Sequence, residues 1–274
     1  MPGFAAFCDS TFAQRLSVAS SLIGIRPSIR FPDDMYHLIE IQAGSAMPPS
    51  NGKNAQKTVP LRSTDGGYRK GEETRVRILN AALAAFGSKG FAAVTTRQIA
   101  ESAGTNLPGL TYYFGNKQGL YLACAHEIVA SFRRGIGAVG EAAGGALARP
   151  LAREDAAGHL KQLFAALAHF LLSEAGAEDR AMFVQREMTS PGPAFEILYA
   201  ELWQPGIELA AALLERAAGG RLSTTDSRVR AVMMIASLTG FRSGQRVVAR
   251  TAGDDDHVAQ ITAALNEQID AFCH

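Results

Sequence analysis

The chain has 274 residues, 47% of them hydrophobic, and a formal net charge of +1, which allows roughly two domains with ample material for buried cores. No apolar run reaches the 18 or so residues that a membrane-spanning helix needs, so no membrane partner is expected. Three cysteines, Cys8, Cys124 and Cys273, are odd in number and widely separated; they fit neither zinc spacing nor a disulfide framework and point to a reducing cytoplasm, with no metal and no cofactor expected.

Residues 1–70 read as a disordered or flexible N-terminal extension. Its second part, PPSNGKNAQKTVPLRSTDGGYRKG, is polar and rich in Pro, Gly and Ser, the composition of a linker. The mildly apolar MPGFAAFCDSTFAQRLSVASSLIGIR before it mimics a targeting peptide, but polar residues interrupt the apolar stretch. A disordered tail, or an extension from an upstream start codon, is the reading adopted.

Residues 71–116 have the pattern of a small three-helix unit. Val76, Leu79, Leu83 and Phe86 recur at spacings of three and four, the apolar stripe of a first helix. In TTRQIAESAG, Thr95 and Gln98 have capping-box spacing, and Val94 and Ile99 fit a hydrophobic staple, so a second helix begins near Thr96. Gly104 follows where a left-handed residue must end that helix. A third helix of two turns would be capped by Asn106, with Pro108 tolerable in its first turn and Leu110 and Phe114 turned inward. Gly109 costs on the order of 1 kcal/mol in a helix relative to Ala, which suggests close approach of another chain, a DNA backbone. Helix, tight turn and short helix make a helix-turn-helix, whose second helix enters the major groove.

This run resembles the DNA-binding domain of the TetR family of bacterial regulators. The resemblance rests on Phe86, Gly90, Phe91, Thr95, Thr96, Arg97, Ile99, Ala100, Ala103, Gly104, Tyr112, Phe114, Lys117 and Leu120, which match the family pattern in type and spacing over about 50 residues. It implies three helices for DNA followed by a helical ligand-binding and dimerisation domain, an all-α fold of about nine helices, with Lys117 opening helix four. The implied DNA-binding residues are Thr95, Thr96, Arg97, Asn106, Leu107, Gly109, Thr111, Tyr112 and Lys117. Arg97 could reach a phosphate or a base edge, or be a solvated surface arginine. Tyr112 is similar to the family's phosphate-binding tyrosine, against a core aromatic with a wet hydroxyl. Lys117 adds a charge to a helix start that already favours anions; Asn106 could simply cap, and Thr111 could face solvent. The chain departs from the pattern at Asn106-Leu107-Pro108, where a polar pair is common, and at Thr111, where an aromatic is. Leu107 offers apolar contact, as to a thymine methyl, in place of a bidentate hydrogen bond to guanine.

Charge follows the same division. Basic residues outnumber acidic ones eight to five over residues 1–70 and seven to four over 71–140, whereas over 141–274 twelve face seventeen. A small head of modest charge needs two copies on adjacent half-sites to bind well.

Residues 117–274 read as a helical regulatory and dimerisation domain. Cys124 would lie on helix four beside Tyr121 and Ile128, a buried structural thiol rather than a redox sensor, and the glycine-rich 137–150 would separate that helix from the rest. Leu160, Leu163, Phe164, Leu167, Phe170 and Leu171 form one apolar face; Phe195, Leu198, Tyr199, Leu202 and Trp203 a second; Val258, Ile261, Leu265, Ile269 and Phe272 a third. Pro205 should kink its helix. RAMFVQREMTSPGPAFEILYAELWQP resembles the C-terminal domain of the CerR-like subgroup of the family through Arg186, Glu187, Met188, Pro191, Ala194, Phe195 and Tyr199, which implies a small-molecule sensor. Ala236, Gly240 and Gly244 form a small-residue stripe, for packing within one subunit or between two; the resemblance implies a homodimer through about 225–250 and 256–272. Asp254, Asp255 and Asp256 precede a helix, where acids favour the dipole, and are not read as a metal site.

A ligand pocket among helices four to eight would be lined by Phe164, His169, Met182, Arg186, Tyr199, Trp203 and Met233, apolar with a few polar groups. Arg186 could pair with an anionic group or a structural glutamate. The expected function is a ligand-responsive regulator, a repressor released from a palindromic operator when an unknown small molecule binds. Two rivals stand: a constitutive dimeric DNA-binding protein without effector, and an all-helical enzyme carrying a DNA-binding module. The latter needs convergent titratable groups, and no nucleophile motif, phosphate loop or metal spacing is visible.

Overall fold

The computed structural model describes residues 64–173, 176–253 and 257–273. The expectations for residues 1–63 and for Asp254, Asp255 and Asp256 lie outside the described residues. Among those described, the secondary structure is helical throughout: α1 Thr64–Ala93, α2 Thr96–Ser102, α3 Leu107–Phe114, α4 Lys117–Leu147, α5 Arg153–Ser173, α6 Ala177–Thr189, α7 Phe195–Leu198, a π-helical turn Tyr199–Trp203, α8 Gln204–Ala217, α9 Thr224–Ser243, α10 Gln245–Ala252 and α11 Val258–Cys273. Among the described residues this makes eleven α-helical segments and one π-helical turn, where about nine helices were expected. Residues 64–70, read in sequence as the end of the extension, are the first turns of α1.

The caps form as their chemistry dictates. Thr95 Oγ1 accepts from Gln98 N–H, and Gln98 Oε1 accepts from Thr95 N–H at 3.0 Å, closing the capping box of α2. Asn106 Oδ1 accepts Gly109 N–H at 2.8 Å and Asn116 Oδ1 accepts Gly119 N–H at 2.8 Å, starting α3 and α4. Gly104, at φ +63°, makes the turn between α2 and α3.

Two apolar cores are strung along α4. The first gathers Ile78, Leu79, Ala82, Leu83 and Phe86 of α1, Val94, Ile99 and Leu110, and Leu120 through Val129 of α4. Val76, expected on this stripe, is 44% exposed; Ile78 and Ala82 take the inward places, so the stripe is rotated from the simplest reading of its spacing. The second core holds Ile136, Ala143, the buried face of α5, Ala210 to Ala217, Leu238, and Ile261, Leu265 and Ile269 of α11.

Two further expectations are corrected, and at Pro205 the helix changes form locally. The glycine-rich 137–150 is no separator: α4 runs unbroken to Leu147, because interspersed alanines favour helix, Ala143 is buried in the second core and Ala146 is buried too. The effect of Pro205 is a change of helical register. With no N–H at Pro205, the chain widens just before it, and Gln204 N–H donates to Tyr199 O, five residues back. Gly244 ends α9 instead of continuing its stripe, and α10 begins anew after it.

The last helix is fastened within its own chain. Its apolar seam packs on α5, Lys161 Nζ meets Asp270 Oδ1 at 2.6 Å, and Arg221 Nη2 donates to Phe272 O at 2.7 Å. Arg153 Nη2 donates to Cys273 O, so two guanidinium groups satisfy the carbonyls at the end of α11. No helix among the described residues is long and apolar enough to cross a membrane.

Candidate nucleic-acid interface

The outward side of α3 follows from its inward one. Leu110 is fully buried and Phe114 packs on the first core, which leaves Leu107, Thr111 and Tyr112 on the exposed side. Tyr112 is 83% exposed and Leu107 45%. Tyr112 is braced by an edge-to-face contact with Tyr113, ring centroids 5.2 Å apart, so its hydroxyl is held outward on a stiff support. Gly109 has an explanation nearer than DNA: a Cβ there would lie 3.0 Å from both Asn106 Oδ1 and Thr105 Oγ1, crowding the cap that starts the helix.

The flanking candidates are arranged around this surface. Thr95 is an exposed N-cap and Thr96 half-buried. The Arg97 side chain is 83% exposed and pairs with Glu101 at 3.2 Å, a contact weak enough to exchange for a phosphate. Lys117 is half-buried, its ammonium 4.6 Å from the centre of the Phe91 ring and 3.4 Å from Ala92 O. That seat fixes the charge at the head of α4, one turn beyond the end of α3.

The seven residues named for a ligand pocket do not converge. Phe164 is buried in the second core and His169 is exposed on α5. Met233 lies on the exposed side of α9. Tyr199 and Trp203 do share a neighbour: Phe195 stacks on Tyr199 at 6.1 Å and meets Trp203 edge-on at 5.5 Å. Met182 is on α6 and partly exposed. Arg186, also on α6, donates through Nε to Gly87 O and through Nη2 to Ser88 O; its partners are backbone carbonyls, where a glutamate or an anionic ligand was expected. A separate cleft of about 380 Å³ lies between the end of α4 and the start of α5, lined by Arg149, Glu154, Asp155 and His159 among others.

A contact with no signal in the sequence ties α6 to α4 inside the first core. Tyr121, on α4, is buried and donates its hydroxyl to Glu187 Oε1 at 2.5 Å, and Glu187 Oε2 accepts Gly192 N–H at 3.0 Å. Burial above all, then the bond to Glu187, pushes the Tyr121 phenol well above its ordinary value, so it stays a donor. Around it Phe86, Phe91 and Phe183 pack with ring centroids 4.6 to 4.8 Å from its own. The Cys124 thiol, one turn on, is likewise pushed up by burial. Among the described residues no group of three or more His, Cys, Asp and Glu could hold a metal ion.

Comparison with known proteins agrees with this geometry. Residues 78–124 match the family model for bacterial regulatory proteins of the tetR family, and residues 156–273 match the C-terminal domain of the HTH-type transcriptional dual regulator CecR; the resemblance expected as CerR-like is thus to the CecR domain. The CecR protein of Shigella flexneri is 29% identical over 207 residues, covering 75% of this chain and 91% of the relative. Among solved structures, a tetR-family regulatory protein from Rhodococcus RHA1 superposes with a TM-score of 0.53 at 20% identity, covering 73% of this chain and 96% of the other. The FadR regulator of Bacillus subtilis, in complex with stearoyl-CoA, does so with a TM-score of 0.51 at 16% identity, covering 73% and 100%.

Proposed function

We propose that this chain is a TetR-family transcriptional regulator with a CecR-like C-terminal domain, as its two family-model matches and its CecR relative support, and that it is a homodimeric repressor released from a palindromic operator when a small molecule binds its helical body. The observation that carries the reading is the exposed side of α3, bordered by Tyr112 and Lys117 on braced supports. Affinity comes mainly from phosphates, through Tyr112, Lys117 and Arg97. Thr95, Thr96, Asn106, Leu107, Gly109 and Thr111 complete the surface, and specificity rests on half-site spacing, methyl contact and DNA shape more than on an arginine-guanine code. Such a regulator acts in the cytoplasm, where its operator is.

Two heads must reach successive major grooves, with centres about 34–36 Å apart. The exposed side of α9 supports pairing of two copies there: Val229, Val232, Met233 and Phe241 are apolar and solvent-facing, and Ala236 and Gly240 between them allow close approach. The seam of α11 is already packed on α5, so α9 carries the larger part of the interface. In the body, Tyr199 and Trp203 with Phe195 supply the aromatic surface for an effector; that FadR holds stearoyl-CoA supports reading a body of this fold as the ligand-taking part.

Selection of bound duplexes from a random DNA pool tests the reading, followed by binding of the selected operator to Lys117→Ala and Tyr112→Phe. Loss of affinity in folded variants is expected, with the salt slope falling by about 0.9 for each Lys117–phosphate contact removed and unchanged in Tyr112→Phe, which loses a neutral hydroxyl. Unchanged affinity and slope in both would overturn the assignment.

A further inference from the structure

We propose that Arg186 and Glu187 of α6, with Tyr121 of α4, are positioning residues that set the angle of the DNA-reading head on the body, and so the half-site spacing the dimer accepts. This rests on the dimeric, DNA-binding reading above. The helix α6 belongs to the body by sequence, yet it lies directly on α1. Gly87 makes that approach possible: a Cβ there would sit 3.0 Å from Asp179 O and 3.3 Å from Phe183 N, backbone atoms of α6.

Two adjacent side chains then bind two different elements, α1 of the head and the first turns of α4 that follow it. Arg186 donates to the carbonyls of Gly87 and Ser88, just before Gly90 leaves helical geometry at φ +82°. The break at Gly90 interrupts the regular helix there, and the positive guanidinium suits the negative end of a helical segment. Glu187, 1% exposed, accepts from Tyr121 on α4 and from Gly192 beyond α6. The end of α1 and the first turns of α4 are therefore held by one rigid segment. Rotation of the head about α4 has to break the carbonyl bonds of Arg186, and sliding of α4 has to break the Tyr121–Glu187 bond. The buried Phe183 between these contacts, packed at a tilt against Tyr121, removes the water that would otherwise replace them.

The test uses the full chain and the duplex selected by the wild type, rebuilt with its half-sites moved together or apart by one, two and three base pairs, and a single half-site duplex as reference. Arg186→Ala is a surface change that leaves the core intact, and Tyr121→Phe removes one oxygen. Ile269→Val, buried in the second core, serves as a control for lost stability alone. The wild type and the control are expected to share one sharp spacing optimum. Arg186→Ala and Tyr121→Phe should lower the preference for that optimum at least threefold while leaving half-site affinity unchanged. A spacing profile in both variants identical to the wild type would overturn the proposal, as would a flattened profile in Ile269→Val. If the wild type selects no paired half-sites, the failure lies in the reading beneath it.

Discussion

Tyr121→Phe isolates one hydrogen bond in a site where water cannot substitute. The ring remains, with its contacts to Phe86, Phe91 and Phe183, so no cavity of any size opens. What is lost is the 2.5 Å donor to Glu187 Oε1, which leaves a carboxylate oxygen of a residue 1% exposed without a partner, while Oε2 keeps Gly192 N–H. A hydrogen bond to a charged group contributes about 1.5–3 kcal/mol. At about 2–4 °C per kcal/mol for a domain of this size, the melting midpoint should fall by about 3–12 °C. The decisive measurement is a double-mutant cycle by urea denaturation with Glu187→Gln. Once the charge is gone, the unpaired oxygen costs less, so Tyr121→Phe should destabilise the Glu187→Gln variant by about 1 kcal/mol less than it does the wild type. Equal costs in the two backgrounds, within about 0.3–0.5 kcal/mol, would mean that the pair does not interact and the reasoning fails.

Other changes probe the same architecture. Phe183→Ala removes a fully buried ring shared by α6 and the first core and should cost about 3–5 kcal/mol, read by calorimetry; a loss under about 1 kcal/mol would show that α6 is not seated as described. Asn106→Ala removes the acceptor for Gly109 N–H and should cost about 1 kcal/mol in denaturant titration, with operator affinity falling more than that if α3 frays; no change in either would refute its capping role. At Asp226, hydrogen bonds donated by the side chain and then the backbone of Ser223 hold the carboxyl below its ordinary value. A depressed folded value stabilises fully above the unfolded value of about 3.9 and is lost as pH falls through the folded one. The stability advantage of the wild type over Asp226→Asn should therefore be complete at neutral pH and shrink below about pH 4; an advantage that grows on acidification would contradict this.

The head is legible in sequence because its determinants are local. The Thr95–Gln98 box, Gly104 and the caps Asn106 and Asn116 each act within four residues, so the helix order and the exposed side of α3 follow from spacing. Where spacing admits two neighbouring faces, as at Val76 and Ile78, only the packing partner decides. The joint of head and body is of another kind: Tyr121 and Glu187 are 66 residues apart, and nothing near either announces the other. Arg186 stands out in sequence as a charged residue with a partner to find, but its carbonyl partners on Gly87 and Ser88 do not, since a backbone oxygen carries no sequence signal. Glycine at 137, 140, 144 and 145 misleads in the opposite sense, because its local cost, about 1 kcal/mol each relative to Ala, is offset by tertiary burial of Ile136, Ala143 and Ala146.

The unbroken α4, 31 residues long and so about 46 Å from end to end at 1.5 Å per residue, imposes a phase relation on the molecule. Val129 is the last of its buried residues in the first core and Ile136 the first in the second. A single residue inserted between them would turn one core against the other by about 100° and advance it by about 1.5 Å. Hybrids that graft this head onto another regulator's body must then keep the helical phase between those positions as well as the domain boundaries. Lengthening the shaft by seven residues, about two turns, restores the phase, whereas lengthening it by two leaves the graft facing the wrong way.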